Sequence, residues 1–392
     1  MRNPPALDCL VGAPSSAVAV HRRPIIAHGL QSVVGLFLVL AALLFECAAA
    51  DSGAAANYQA APASSAAEQL SVQPAPQPAS KSPAGNAPKF ILAWGQKGDK
   101  PGEFYSPIGI AINRKDEVYV TDLNNARVQK FNTDGKYLGG FDLPLDTPPR
   151  KFCGIGGITL DDAGQIYLSF MNQHRIGVYS NAGKLIREWG KRGNGDGEFY
   201  QPGGLVLDGN GDLYVADQCN HRVQKFTNDG KFLLKWGQHG KLPGQFDGID
   251  SPGSRFGGPH FLAMDREGRL YTTEATLGRV QQFAPDGKPL SAWGDKGNQP
   301  GGFGAMPTPQ PTRTFGPIGI LVDKHDRVLV SSLNDRVQFF TPEGKYLFGI
   351  AGSGKGPGQF TRPHGMAFDS RNCLYVADAS NQRIQKFEIP EP

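Results

Sequence analysis

The chain has 392 residues, with 40 Lys or Arg against 36 Asp or Glu and a formal charge of +4. So small a surplus excludes a polycation built for nucleic acid, and five cysteines over this length exclude a small disulfide scaffold. Length alone allows two or three ordinary domains, but an internal repeat overrides that prior.

Residues 1–50 read as a signal peptide or signal anchor. Val33–Phe45 is an apolar stretch of 13 residues, preceded by Arg22 and Arg23 and followed by Ala48, Ala49 and Ala50. That is the pattern of a secretory signal with a small-residue cleavage site. A membrane span needs about 20 apolar residues, and carrying the stretch on to Ala50 takes in Glu46. Export is expected, to a periplasmic or extracellular location or with the segment kept as a membrane tether. Residues 51–87 are rich in Ala, Pro, Ser and Gln with almost no large apolar side chains. They cannot bury enough surface to offset their ordering entropy and read as a disordered linker. The globular body is then 88–392.

That body opens on Phe90-Ile91-Leu92-Ala93-Trp94-Gly95, a strand with no partner before it. Six copies of one phrase follow, each centred on an arginine: Arg127, Arg175, Arg222, Arg279, Arg336 and Arg383. The steps between them are 48, 47, 57, 57 and 47 residues, the period of propeller blades. The third copy shows what one repeat encodes. Gly204–Asp208 and Leu213–Asp217 are strands joined by the turn Asn210-Gly211-Asp212; Arg222–Phe226 alternates as a third strand. Asp229-Gly230 then signals a hairpin into Lys231–Trp236. Four antiparallel strands with tight turns make one blade.

The sixth copy ends after its third strand at Phe387. Pairing it with the orphan strand would complete the blade and leave no open edge. The fold class is therefore all-β: a six-bladed β-propeller of four-stranded antiparallel blades, closed by the strand at about residues 89–95. Trp189, Trp236 and Trp293, each ending an outer strand, are expected between neighbouring blades. The phrase Pro-x-Gly-Ile, Tyr-Val-x-Asp and Asn-x-Arg-Val-Gln-Lys-Phe, recurring in register over about 90–388, resembles the NHL repeat.

The acid that ends strand two is Asp122, Asp217, Glu274 and Asp378, while the second and fifth copies carry Phe170 and Ser332. Six arginines could form a ring of cations for a phosphate or carboxylate. Identical residues in every blade instead suit a need every blade has, so an acid–arginine buttress is expected. Function is expected where the copies differ. At the mouth of strand one the ordinary copies read Pro107-Ile108, Pro202-Gly203 and Pro317-Ile318, but blades four and six read Pro259-His260 and Pro363-His364. Two imidazoles two blades apart on the channel rim are either bonded to backbone or water, or part of a site for a divalent metal such as zinc.

The Pro-His pattern is similar to that of the propeller lyase that cleaves peptidyl-hydroxyglycine. That resemblance implies three channel histidines on zinc with a tyrosine base and arginines. His260 and His364 match two ligands; the third falls at Gly156, the tyrosine near Gln218 and one arginine near Ala275. With a ligand and the base missing, no catalytic set is assigned.

The two long arginine intervals place insertions at Asp247–Arg255 and Gly304–Thr314 on the same face. These could wall a binding surface or be tolerated loops. Cys153, Cys219 and Cys373 are read as thiols, with a Cys153–Cys219 bridge as the alternative. Lys97, Lys100, Arg150, Lys151, Lys191 and Arg192 lie in entry loops but are interleaved with Asp99, Asp142, Asp146 and Asp196, which argues against an RNA-binding stripe. The expected function is a monomeric, non-catalytic scaffold that binds a protein, peptide or glycan on its loop face and channel rim. A metal-dependent lyase or hydrolase at His260 and His364 is the alternative.

Overall fold

The computed structural model of the protein describes residues 87–144, 154–248, 257–304 and 316–392. Six four-stranded antiparallel sheets follow one another along the chain, as the repeat requires. In blade three the strands are Pro202–Leu207, Leu213–Asp217, Arg222–Phe226 and Phe232–Trp236. Blade six consists of Pro363–Phe368, Cys373–Asp378 and Arg383–Glu388, with Lys89–Trp94 as its outer strand. The chain thus closes on itself, Phe90 opposite Phe387 and Trp94 opposite Ile384.

In every blade but the fourth, where it is Leu262–Met264, the first strand begins two residues earlier than alternation suggests. Pro202 pairs with Asp217 and Leu205 with Val215, so Gly203 and Gly204 together face one residue of the partner strand. This bulge recurs at the same place in blades one, two, five and six. A bulge turns a side chain out of the pleat. Here it turns the residue after each proline toward the central channel.

The core lies between the blades. The Trp189 ring sits 5.9 Å from Phe226 of blade three, and Trp236 sits 5.9 Å from Phe283 of blade four. Trp293 and Phe340 centre only 4.7 Å apart. Each ring also covers the hairpin glycine of the next blade. Gly230 has φ +91°, and a Cβ there would meet the Trp189 ring at 2.8 Å. That turn therefore needs glycine for its backbone and for its lack of a side chain.

No helix among the described residues is long and apolar enough to cross a membrane. Val33–Phe45 lies outside them, as do Cys153, Arg150, Lys151, Asp146 and most of the two insertions.

Candidate functional site

The residue ahead of each proline or its equivalent takes a left-handed backbone: φ is 67° at Ser106, 59° at Gln201 and 56° at Arg362, with Gly154, Gly258 and Gly316 in the other copies. The chain then enters the bulge. A hydroxyl from strand two holds the bulge on both sides. Ser331 Oγ accepts from Gly319 N at 2.9 Å and donates to the His364 carbonyl of the next blade at 2.6 Å. Ser169 and Thr273 serve the same purpose from blades two and four, reaching the carbonyls of Gly203 and Ile318. In blade four the His260 carbonyl accepts from Gly204 N at 2.7 Å and the His260 N–H donates to Thr273 O at 2.9 Å. Neighbouring blades are thereby stitched around the channel at the residues that line it.

The six equivalent residues, Ile108, Gly156, Gly203, His260, Ile318 and His364, line one cavity of about 380 Å³ at the channel mouth. Leu123, Ile155 and Met171 make one side of it apolar, and Gln218, His260 and His364 make the other polar. His260 is buried, and that burial lowers its pKa to about 4, with the nearby His364 adding to the effect. His364 is half-buried and also lies near 4, chiefly through desolvation. Both imidazoles are therefore neutral at pH 7. His364 Nδ1 lies 2.9 Å from the Arg362 carbonyl. A carbonyl can only accept, so the proton sits on Nδ1 and Nε2 is left as an acceptor. Gln218 is buried and its Oε1 has no hydrogen-bond partner among the described residues. It lies against Gly203, where a Cβ would come within 2.1 Å of Gln218 Nε2.

The folded protein binds a proton at His260 less readily than the unfolded chain, whose imidazole titrates near 6.5. The stability involved is fully present above pH 6.5 and is lost as the pH falls toward 4. At pH 5 the loss is about 2 kcal/mol. Urea unfolding at pH 7.5 and pH 5 checks this: His260→Gln should remove about half of the difference, and the His260→Gln, His364→Gln double variant most of it, since His364 is lowered to the same extent. An equal fall in the double variant would assign the acid sensitivity elsewhere.

The acids and arginines of the repeat meet on the same face, away from the cavity. Arg127 Nε donates to Asp122 Oδ2 at 2.9 Å, Arg222 to Asp217 at 2.7 Å, Arg279 to Glu274 at 2.8 Å and Arg383 to Asp378 at 2.7 Å. All four acids are fully buried. Each arginine also ties loop carbonyls, Arg222 holding those of Asn194, Gly195 and Glu198. Arg175 instead lies over the Phe170 ring at 4.4 Å and pairs with Glu188, and among the described residues Arg336 bonds only the Gln299 carbonyl.

Of the entry-loop cations, Lys191 pairs with Glu198 at 3.2 Å, while Lys97 and Arg192 lie over Tyr105 and Tyr200. Cys219 Sγ donates to Gln201 Oε1 at 3.3 Å. Burial pushes the Cys373 thiol upward.

A family model described as NHL repeat matches residues 104–131, 199–226 and 360–387. Three of the six blades carry NHL repeats. The matched stretches fall in blades one, three and six, the three that keep the aspartate, the asparagine three residues on and the arginine. The chain is 34% identical over 140 residues to peptidyl-glycine alpha-amidating monooxygenase of Mus musculus, covering 33% of this chain and 14% of that protein. It is 27% identical over 108 residues to Protein brain tumor of Drosophila melanogaster, covering 26% of this chain and 10% of that one. It thus spans only a small part of these relatives. Among solved structures, virginiamycin B lyase of Staphylococcus aureus superposes with a TM-score of 0.51 at 20% identity, over 76% of this chain and 99% of that one. That likeness is one of fold.

The three-histidine zinc arrangement implied by the amidating-lyase resemblance does not fit these residues. His260 and His364 share the cavity, but the third position, Gly156, has no room for a side chain. A Cβ there would lie 2.5 Å from Ser169 Oγ and 2.9 Å from the Pro202 carbonyl. No group of three His, Cys, Asp or Glu that could hold a metal ion occurs among the described residues.

Proposed function

We propose that the chain is an exported binding propeller that takes a protein, peptide or glycan group into its channel mouth and across the surrounding loop face. One observation carries this reading: the six structurally equivalent residues that line the cavity are the place where the blades differ. A pocket of about 380 Å³ is of the size that holds a small ligand or one protruding group. Its apolar side suits a carbon-rich face. Its polar side offers an acceptor, His364 Nε2, which suits a hydroxyl or amide N–H donor. Export is supported by the apolar stretch and alanines at 33–50, and mass spectrometry of the mature amino terminus tests it.

The binding test uses peptide and glycan arrays probed with the purified chain. Met171→Arg should fill the mouth and abolish captured spots, while Leu242→Ala, a change at a side chain 66% exposed elsewhere, should keep them. Capture that survives Met171→Arg would sink the channel-mouth reading.

A second reading, a metal-dependent lyase or hydrolase, is favoured by two neutral imidazoles sharing one cavity. Metal analysis of the purified full chain separates the two. Under the binding reading, zinc should fall well short of one equivalent. A full equivalent that disappears in the His260→Ala, His364→Ala double variant would replace it with the metal reading.

A further inference from the structure

Blade five has kept the donors of the buttress and lost its acceptor. In blade one the Asp122 carboxylate receives Tyr105 N, Asn125 Nδ2, Arg127 Nε and Gln129 Nε2. Blade six repeats this at Asp378 with Thr361 N, Asn381, Arg383 and Gln385. Blade five has Ser332 at that point, fully buried and paired in register with Arg336 as Asp378 is with Arg383. Serine ends one carboxyl group short.

The donors around Ser332 are still present. Arg336 is half-buried and makes a single hydrogen bond, from Nη1 to the Gln299 carbonyl at 3.0 Å, and no ion pair among the described residues. The Asn334 amide turns its Oδ1 to accept from Ser332 Oγ, and its Nδ2 is buried without a partner among the described residues. Among the described residues Gln338 Nε2 bonds only the Gly302 carbonyl, at 2.9 Å, so that one of its two hydrogens has no partner there. The neighbouring insertion, residues 305–315, contains no Asp or Glu to supply the missing charge.

Blade two shows how the same loss looks when the fold repairs it. There the acid is Phe170, whose ring fills the space, the glutamine is Gly177, and the arginine stacks on the ring and pairs with Glu188. Acceptor and donors disappeared together. Blade five has gained only the hydrogen bond from Ser332 Oγ to Asn334 Oδ1 among the described residues, and leaving a half-buried guanidinium and a buried amide NH2 unsatisfied is unfavourable.

We propose that blade five binds a carboxylate supplied from outside the chain, held by Arg336, Asn334 and Gln338 where other blades hold their own acid. Guanidinium and amide N–H groups together match a carboxylate's two oxygens. None of these three side chains lines the channel-mouth cavity, so the site stands or falls separately from the function proposed above.

Sodium acetate, titrated into the full chain at constant ionic strength, is the first probe. The melting midpoint should rise by roughly 2–4 °C at saturating acetate. Ser332→Asp supplies the carboxylate internally, so this variant should start higher and respond much less. Because acetate stabilises proteins generally, the difference between the two chains is the measured quantity. In arginine-labelled NMR spectra the Arg336 Nε–H signal should move with acetate while Arg127 stays still, a readout that does not depend on the variant folding. A short peptide with a free carboxyl terminus, set beside its amide, identifies the source of the carboxylate. Much tighter binding of the free-acid peptide than of acetate assigns the site to a protein partner, and equal binding to a free small carboxylate. Identical acetate responses in wild type and Ser332→Asp, with no movement of Arg336, would overturn the proposal.

Discussion

Replacing Asp217 with alanine should cost about 3–5 kcal/mol of folding stability while leaving the channel mouth unaltered. Asp217 is fully buried and receives four donors: Tyr200 N at 2.7 Å on one oxygen, and Asn220 Nδ2 at 2.9 Å, Arg222 Nε at 2.7 Å and Gln224 Nε2 at 3.0 Å on the other. Burial raises the carboxyl's pKa, while Arg222 and the remaining donors pull it down. Alanine strands a guanidinium that is itself nearly buried, together with two amides, and the Arg222 bonds to three loop carbonyls lose their anchor. Asp217→Asn separates shape from charge. An asparagine oxygen placed toward Arg222 keeps three donors, but its NH2 then faces the Tyr200 N–H, so a loss of about 1–3 kcal/mol is expected. Urea unfolding of both variants measures this. A loss below about 1 kcal/mol for alanine, with ligand capture abolished instead, would revive the ring of cations as a binding device.

This expectation rests on residues that were plain in the sequence, since a need shared by every blade is written six times. The six blades, the closing strand and the tryptophans between blades were legible for that reason. Turn glycines and the arginine period are local signals that tertiary packing does not override. The channel site was legible only in part. His260 and His364 stood out as departures at an aligned position. That both stay neutral, and that Nε2 of His364 is the free acceptor, depends on burial and on the Arg362 carbonyl, neither of which a spacing reveals. The first-strand boundary was missed because the bulge at Gly203-Gly204 breaks the two-residue alternation, and that bulge is what turns Gly203 inward, as its counterparts do in blades one, two, five and six. Gln218 appeared in the sequence only as the place where a tyrosine is missing. The structure makes it a buried amide in the cavity wall whose Oε1 has no partner among the described residues. The gap at Ser332 was visible as a substitution, but whether the donors around it had been repaired could be read only from their partners.

The largest effect is expected from removing the closing strand. A chain lacking Lys89–Trp94 should lose its cooperative melt and run as aggregate on size exclusion. Lys89–Trp94 supplies the outer strand of blade six, and without it the N–H and C=O groups of Arg383–Glu388 form an open edge. It also carries packing that no other segment replaces. The Phe90 ring meets Phe387 edge-on at 5.9 Å, and Trp94 lies between Phe131 of blade one at 5.7 Å and Tyr375 of blade six at 6.0 Å. Joining strands about 300 residues apart is not prohibitive, because closure entropy grows by only about 0.6 kcal/mol per doubling of length. The strand's own contacts therefore dominate. Trp94→Ala alone, with the backbone pairing left in place, should cost about 3–5 kcal/mol, which separates the ring from the edge. Adding a synthetic peptide of residues 87–95 to the truncated chain should restore a monomeric melt at high peptide concentration. If the truncated chain melts as the full chain does, the blade is stable with three strands and closure is not what holds the ring together.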